Sequence, residues 1–157
     1  MHDINAFLKS IKFDKPSDAL KKISIDKVVL NKKEETFSVY LRSKQVLPYK
    51  DANKLINNQY KINNLYKCFI YISYDEITNE DIINYLKEII KNLVNKKPSL
   101  ISLEDSEPII DDDLIIFEVI SEAEEESIKK EVAYITNSLS KLGLKDYLIT
   151  TKMNEEL

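Results

Sequence analysis

The sequence has a single glycine, Gly143, among its 157 residues. Phosphate-binding loops of the Walker or Rossmann type need several glycines at fixed spacing, because the backbone must approach the phosphate closely. Both kinds of nucleotide site are therefore excluded. Gly143 follows a helical pattern, and its freedom at positive φ predicts that it ends that helix.

Cysteine and histidine are as scarce, with only Cys68 and His2. One cysteine cannot form an internal disulfide, which favours a reducing compartment. Cys68 lies in an apolar segment, where a thiol usually acts as a small buried hydrophobic group. A Cys/His catalytic pair would require the N-terminal tail to fold back onto that segment. We therefore predict no catalytic residue, no metal site and no cofactor in this chain.

Long hydrophobic runs are absent too, since no stretch of about 18 apolar residues occurs. Residues 1–13 lack both the basic start and the continuous apolar segment of a signal peptide. We expect a soluble, cytoplasmic protein. The length is in the usual range for one domain with a sizeable core.

Residues 20–49 form the most informative segment of the chain. Residues 23–30 alternate and then become continuously apolar, which predicts a strand with one well-buried face. A polar turn at residues 31–35 follows. In the next strand Phe37, Val39 and Leu41 share one side, while Ser38, Tyr40 and Arg42 share the other. Pro48 then predicts the start of a helix, because its fixed φ suits a first helical position.

Helical patterns occupy four places. Asp3 caps a first helix with an apolar stripe, and we treat residues 1–15 as a segment that could detach from a single domain over residues 16–157. The Pro48 helix is predicted to turn Ala52, Leu55, Ile56 and Tyr60 inward and to end at Asn63-Asn64. Capping boxes at Thr78/Asp81 and Ser121/Glu124 begin the other two helices, and the last continues to Gly143.

Strands are predicted between these helices. Residues 67–74 are apolar on both faces and indicate a central strand that is covered on each side or nearly so. Shorter strands are predicted at residues 114–120 and 147–151, and a short strand or turn at residues 108–110. The alternation of elements predicts an α+β fold, a mixed sheet with packed helices.

The hairpin and the sequence Leu47-Pro48-Tyr49 resemble the N-terminal domain of the PolC-type DNA polymerase III alpha subunit, the replicative polymerase of low-GC Gram-positive bacteria. A second block agrees with it: the sequence PSLISL at residues 98–103, a strand at 113–120, a long helix, and Gly143-Leu144 before the last strand. The resemblance covers the chain from about Leu20 to its end.

The resemblance implies a type II KH-like fold that is similar to the C-terminal domain of the tau subunit. The GXXG loop with which KH domains clamp nucleic acid is absent. The chain would be a non-catalytic module of a much longer DNA-directed DNA polymerase with 3'–5' exonuclease activity. Its partners would be replisome proteins, such as the clamp loader or tau, or other domains of the same polymerase. DNA would be bound through the parent enzyme.

Acidic clusters carry no chemistry of their own. Asp111, Asp112 and Asp113 lack the spaced oxygens and the glycine of a calcium loop, which favours a solvated turn. The glutamates of residues 122–126 lie in a first helical turn, where the helix dipole favours them.

A basic cluster lies on or beside the hairpin and is the candidate partner or nucleic-acid surface. Basic residues around an aromatic ring can contact single-stranded nucleic acid. Against this, the pI is about 5.2 and acidic residues dilute the cluster, so we favour lysines that protect an edge strand from aggregation. The residues are Lys21, Lys22, Lys27, Lys32, Lys33, Tyr40, Arg42 and Lys44.

Charge is divided unevenly along the chain. Residues 1–67 hold 14 Lys/Arg and 7 Asp/Glu, a net charge of +7, and residues 68–157 hold 9 and 20, a net charge of −11. Such asymmetry can steer a charged partner, or it can be the accidental drift of a solvated surface. The leading hypothesis is a protein-docking module of the replisome. The alternative is a weak single-stranded nucleic-acid-binding module that uses the hairpin lysines.

Overall fold

A computed structural model describes residues 3–154, which form an α+β fold, as predicted. The helices are α1 (Ile4–Ser10), α2 (Asp18–Lys21), α3 (Tyr49–Asn57), α4 (Asn79–Lys96), α5 (Glu122–Lys129) and α6 (Val132–Lys141), with a 3-10 helix at Pro98–Leu103. The strands are β1 (Ser24–Asn31), β2 (Thr36–Gln45), β3 (Tyr60–Ile62), β4 (Tyr66–Glu76), β5 (Ile109–Asp111), β6 (Leu114–Val119) and β7 (Leu148–Met153).

The chain divides into two compact units, the first ending at Ile77 and the second beginning at Thr78. Each unit has a sheet of its own among the described residues, where the sequence had predicted one mixed sheet. Strand order cannot be deduced from hydrophobic patterns, because pairing depends on the path of the connections. The proposed division of the chain at residues 15 and 16 stays a prediction.

The sheet of the first unit has the order β1-β2-β4-β3. β1 and β3 run antiparallel to their neighbours, and β2 runs parallel to β4, so this sheet is mixed. One face of this sheet is buried, and α3 packs against β4 there. The buried side chains of β2, β4 and α3 are Val39, Leu41, Ala52, Leu55, Cys68, Ile70 and Ile72. The predicted apolar stripe of α1 is also buried, through Ile4, Leu8 and Ile11.

The hairpin is confirmed, but the burial predicted for its first strand is wrong. β1 is an edge strand, and Val28, Val29 and Leu30 are exposed. β4 does lie inside the sheet, between β2 and β3, yet its buried residues, Cys68, Ile70 and Ile72, are all on one face. The prediction of cover on both faces is therefore wrong as well, and the other face of this sheet is open.

The helix after Pro48 is confirmed with a shorter extent. Pro48 takes the N-cap position, and the helix ends at Asn57 instead of at Asn63-Asn64. Tyr60 begins β3, a strand that the sequence patterns did not predict. Asn63 and Asn64 both adopt positive φ and form the turn between β3 and β4. Asparagine tolerates this region, so the residues mark a hairpin turn.

The sheet of the second unit has the order β5-β6-β7, with β5 antiparallel and β7 parallel to β6. The Thr78 capping box is confirmed, and α4 buries the predicted stripe except for Ile83, which is half-buried. Side chains of β6 and of α6 complete the core of this unit: Ile115, Phe117, Val119, Ile135 and Leu139.

The long helix predicted from Ser121 to Gly143 is two helices. The Glu131 amide bonds to the Ile128 carbonyl, a tighter turn than an α-helix makes, and the buried Glu131 carboxylate forms an ion pair with Lys97. Gly143 has φ of 97°, as predicted. The amides of Gly143 and Leu144 bond to the carbonyls of Ser140 and Leu139, which is the Schellman ending of a helix.

Candidate interaction surfaces

The described residues contain no arrangement that points to metal chemistry. Within residues 3–154, no group of three or more His, Cys, Asp or Glu side chains is placed to hold a metal ion. Asp112, at φ of 50°, lies in the turn between β5 and β6, which confirms the turn predicted for these aspartates. In this same range, no helix has the length and apolar character that crossing a membrane requires.

Cys68 points into the core of the first unit and is 6% exposed. Burial raises the pKa of its thiol to about 11, because the apolar surroundings disfavour the thiolate. A thiol in this state is a poor nucleophile at neutral pH. The interpretation of Cys68 as a small buried hydrophobic group agrees with this geometry.

The eight candidate surface residues do not form one patch. Lys21 and Lys22 precede β1, whereas Lys32 and Lys33 are in the turn that follows it. These two pairs are separated by the length of β1, about 25 Å for a strand of this size. Lys44 lies near the exposed end of β2. Only the three others, Lys27, Tyr40 and Arg42, come together, on the open face of the sheet.

The contacts of these three residues are specific. Lys27 is opposite Tyr40 in the β1/β2 pair, and its Nζ lies 4.6 Å from the centroid of the tyrosine ring. Arg42 Nε donates a hydrogen bond of 2.7 Å to Asp75 Oδ1. This bond, followed by the charges of Asp75 and Asp26, raises the pKa of Arg42. The guanidinium thus stays charged, and its charge is balanced by these acidic neighbours.

Two aromatic residues of β4 complete this open face and were not predicted as site residues. Tyr71 is opposite Tyr40, and the two rings are stacked with centroids 4.9 Å apart and planes 17° apart. Phe69 is opposite Ser38 on the same face. The exposed fractions of Phe69 and Tyr71 are 48% and 49%. The sequence showed only that Phe69 and Tyr71 share one face of a strand, because they alternate with the aliphatic Ile70 and Ile72. We call Lys27, Tyr40, Arg42, Phe69 and Tyr71 the aromatic face.

Two lysines extend the aromatic face at the β3 end. Lys61 of β3 is directly opposite Lys67 of β4 in an antiparallel pair. Lys67 is two residues from Phe69 on the same strand and therefore on the same face. Like charges directly opposite each other destabilise a sheet. Neither lysine has a carboxylate within salt-bridge distance among the described residues.

The second unit has an open sheet face of a different character. Leu148 of β7 is opposite Leu114 of β6, and Ile109 of β5 is opposite Ile116. Leu148 is 72% exposed, and Ile109 is also exposed. We call Ile109, Leu114, Ile116 and Leu148 the aliphatic face. Exposed acidic residues adjoin it, with Asp111 opposite Leu114 and Glu118 two positions beyond Ile116.

The charges of the two units have opposite signs. Residues 1–77 hold 14 Lys/Arg and 9 Asp/Glu, a net charge of +5, and residues 78–157 hold 9 and 18, a net charge of −9. The aromatic face therefore belongs to a basic unit and the aliphatic face to an acidic one. The two faces favour partners of different chemistry.

Comparison with known families gives two adjacent matches. Residues 3–63 match a family model described as DNA polymerase III polC-type N-terminus I, and residues 84–157 match one described as DNA polymerase III polC-type N-terminus II. The boundary between the two structural units lies in the interval between these matches. Neither the curated proteins nor the solved structures contain a match to the chain.

Proposed function

The chain belongs to the N-terminal region of PolC-type DNA polymerase III, and on this basis we propose that it is a non-catalytic module that docks the polymerase onto another replisome protein. The partner would be the clamp loader, through its tau subunit, or another domain of the same polymerase. The parent protein would carry the polymerase and 3'–5' exonuclease activities, as the resemblance to PolC implies.

The observation that carries this proposal is the aliphatic face. Monomeric proteins rarely leave large aliphatic side chains side by side on an open sheet, and such patches usually mark interaction sites. Leu148 pairs with Leu114 here, and Asp111 stands beside them. A partner that presents apolar side chains bordered by Lys or Arg would match this surface in both apolar character and charge.

We expect the substitution Leu148→Thr together with Ile109→Thr to weaken partner binding by about tenfold or more. Threonine keeps strand propensity, so the change removes apolar contact area and leaves the sheet intact. The measurement is isothermal titration calorimetry of the 157-residue chain against purified tau and, separately, against the remainder of the polymerase chain.

Leu65→Thr is the matched control. Leu65 is 69% exposed, close to the 72% of Leu148, but it lies in the turn between β3 and β4. This control should bind like the unmodified chain. Absence of binding to both partners, or equal loss in the two variants, would contradict docking through the aliphatic face. Nucleotidyl transfer or nuclease activity of the purified chain would contradict a non-catalytic module.

Two finer statements also stand as proposals. The type II KH-like arrangement, with its likeness to the C-terminal domain of tau, is supported by the family resemblance, and an experimental structure of tau bound to this chain would test it.

Single-stranded nucleic-acid binding by the hairpin lysines is the second candidate function. The close contact between Lys27 and Tyr40 favours it.

A further inference from the structure

We propose that the aromatic face, extended by Lys61 and Lys67, binds single-stranded DNA, with bases stacked on Phe69 and Tyr71 and phosphates held by the two lysines. This site shares Lys27, Tyr40 and Arg42 with the predicted hairpin cluster, but the residues proposed to hold the ligand lie on β3 and β4. It lies in a different structural unit from the aliphatic face. Its ligand is also independent of the protein partner proposed above.

The order of the strands determines which aromatic rings are free. Lys27, Tyr40 and Tyr71 stand in one row across β1, β2 and β4, so Tyr40 has a neighbour on each side. Tyr71 and Phe69 lie beyond the last pair between β3 and β4, which joins Tyr60 and Cys68. No strand of the described sheet covers their outer side.

The Phe69 ring and the outer face of the Tyr71 ring, whose other face is stacked on Tyr40, can stack with nucleic-acid bases. Stacking tolerates any sequence, because every base has a π face. In duplex DNA these faces are already stacked on neighbouring bases, so the geometry favours a single strand. Phe69 and Tyr71 are about 7 Å apart along the strand, a distance comparable to the separation of adjacent nucleotides in an extended chain.

The lysine pair supplies the second, independent part of the argument. Lys61 and Lys67 are opposed without a carboxylate between them among the described residues, an arrangement that costs stability in the free protein. A phosphodiester group beside them would remove this repulsion. Because the two lysines lie next to Phe69, they would hold the DNA backbone beside the stacked bases.

Charge and family membership decide the kind of ligand. The unit that carries this face has a net charge of +5, which favours a negatively charged ligand. We favour a polyanion over an acidic protein, because this face offers few aliphatic side chains to a protein partner. The family is that of a DNA polymerase, so we commit to DNA. Single-stranded RNA and a protein ligand become outcomes of the test.

The test is fluorescence anisotropy of an end-labelled oligothymidylate of about 12 nucleotides, titrated with the 157-residue chain over a series of salt concentrations. The unmodified chain should bind at low salt. Phe69→Ala with Tyr71→Ala should weaken binding by about 30-fold or more, because each lost base stack weakens binding by about fivefold to 150-fold. Lys61→Gln with Lys67→Gln should reduce the slope of log K against log salt by about 1.4, which corresponds to two lost phosphate contacts.

The control for charge is Lys87→Gln with Lys91→Gln. These two exposed lysines of α4 give the same change in net charge outside the sheet. The control for the predicted hairpin cluster is Lys32→Gln with Lys33→Gln. Both controls should bind within about twofold of the unmodified chain, since only nonspecific attraction changes.

A second measurement covers the case in which the aromatic variant fails to fold. An oligonucleotide that carries 5-iododeoxyuridine is cross-linked by light to the unmodified chain, and the attached peptide is identified by mass spectrometry. Attachment at Phe69 or Tyr71 would support the proposal.

Four results would overturn the proposal: no binding at low salt, equal loss in the lysine controls, equal affinity for duplex DNA, or cross-links only at residues outside the aromatic face and the Lys61/Lys67 pair. Tighter binding of an RNA strand would overturn the commitment to DNA. The docking proposal has its own readout, because Leu148→Thr with Ile109→Thr should leave oligonucleotide binding unchanged. Failure of one proposal is therefore distinguishable from failure of the other.

Discussion

At the residue scale, Cys68 has the chemistry that the fold changes most. Burial raises its thiol pKa from 9.0 to about 11. In the unfolded chain the thiol releases its proton at lower pH than in the folded chain. Below pH 9 the thiol is protonated in both states, and the contribution of the buried thiol to the free energy of unfolding is fully present. As the pH rises from 9 towards 11, only the unfolded chain loses this proton, so that contribution is lost.

We therefore expect the free energy of unfolding to fall when the pH rises from about 8 to about 10.5, and to fall less in Cys68→Ala. The measurement is urea unfolding of both proteins at both pH values. Burial also raises the pKa values of Tyr60 and Tyr147, which act in the same direction, so the comparison with the alanine variant isolates the thiol. Equal decreases in the two proteins would show that the thiol is not desolvated.

Single residues were predictable where the backbone alone decides their role. Gly143 has the positive φ expected of a helix end, and Thr78 forms the expected capping box. Phe69 and Tyr71 were recognised as strand residues and missed as site residues. Their exposure depends on which face of the sheet the helices cover, and a single strand pattern with apolar groups on both sides does not hold that information.

At the element scale, β1 shows why a run of apolar residues is ambiguous. Val28, Val29 and Leu30 were predicted to contribute to a buried face, but β1 has a neighbour on one side only. The exposed run sits beside Lys27 and the lysines of the turn at residues 32 and 33. Charged residues at such an edge discourage pairing with other chains, so the predicted protective role of these lysines is compatible with their position.

The two valines Val29 and Val39 give a matched test of this description. Val29 is 47% exposed on β1, and Val39 is 1% exposed on β2. Val39→Ala should lower the free energy of unfolding by about 2 kcal/mol, because it leaves a cavity in the core. Val29→Ala should change it by about 0.5 kcal/mol or less.

Urea unfolding of both variants at neutral pH measures the difference. Equal effects would mean that β1 is buried, as the sequence pattern had indicated. Such a result would also contradict the position of β1 at the edge of the first sheet, because a buried β1 would need a neighbouring strand on both sides.

Other elements differ from their prediction for local reasons. β3 has three residues, which are too few for a periodic pattern. Among the described strands it pairs with β4 alone. The break between α5 and α6 falls at Glu131, whose carboxylate is buried with Lys97 as its partner. The ion pair joins positions 34 residues apart, so helical periodicity could not reveal it.

At the scale of the whole molecule, residues 3–154 form two sheets in two units, each with an open face. The α+β class and most helices followed from the sequence, since caps and apolar stripes are local features. The split into two units did not, because it depends on strand pairing between distant segments. The two family matches follow the same division, with one on each side of the boundary between Ile77 and Thr78.

The opposite charges of the units agree with the two ligands proposed for them. A basic unit with exposed aromatic rings favours a nucleic-acid strand, and an acidic unit with exposed aliphatic side chains favours a protein. The central claim is that this N-terminal module acts by binding, with one surface on each unit.

The most direct test is an amide chemical-shift titration of the isotope-labelled chain by NMR, first with the oligothymidylate and then with tau. We expect the oligonucleotide to shift the amides of β2, β3 and β4 around Tyr40, Lys61, Phe69 and Tyr71, and tau to shift those around Ile109 and Leu148. Shifts at the same residues for both ligands, or none for either, would contradict a module with two separate binding surfaces.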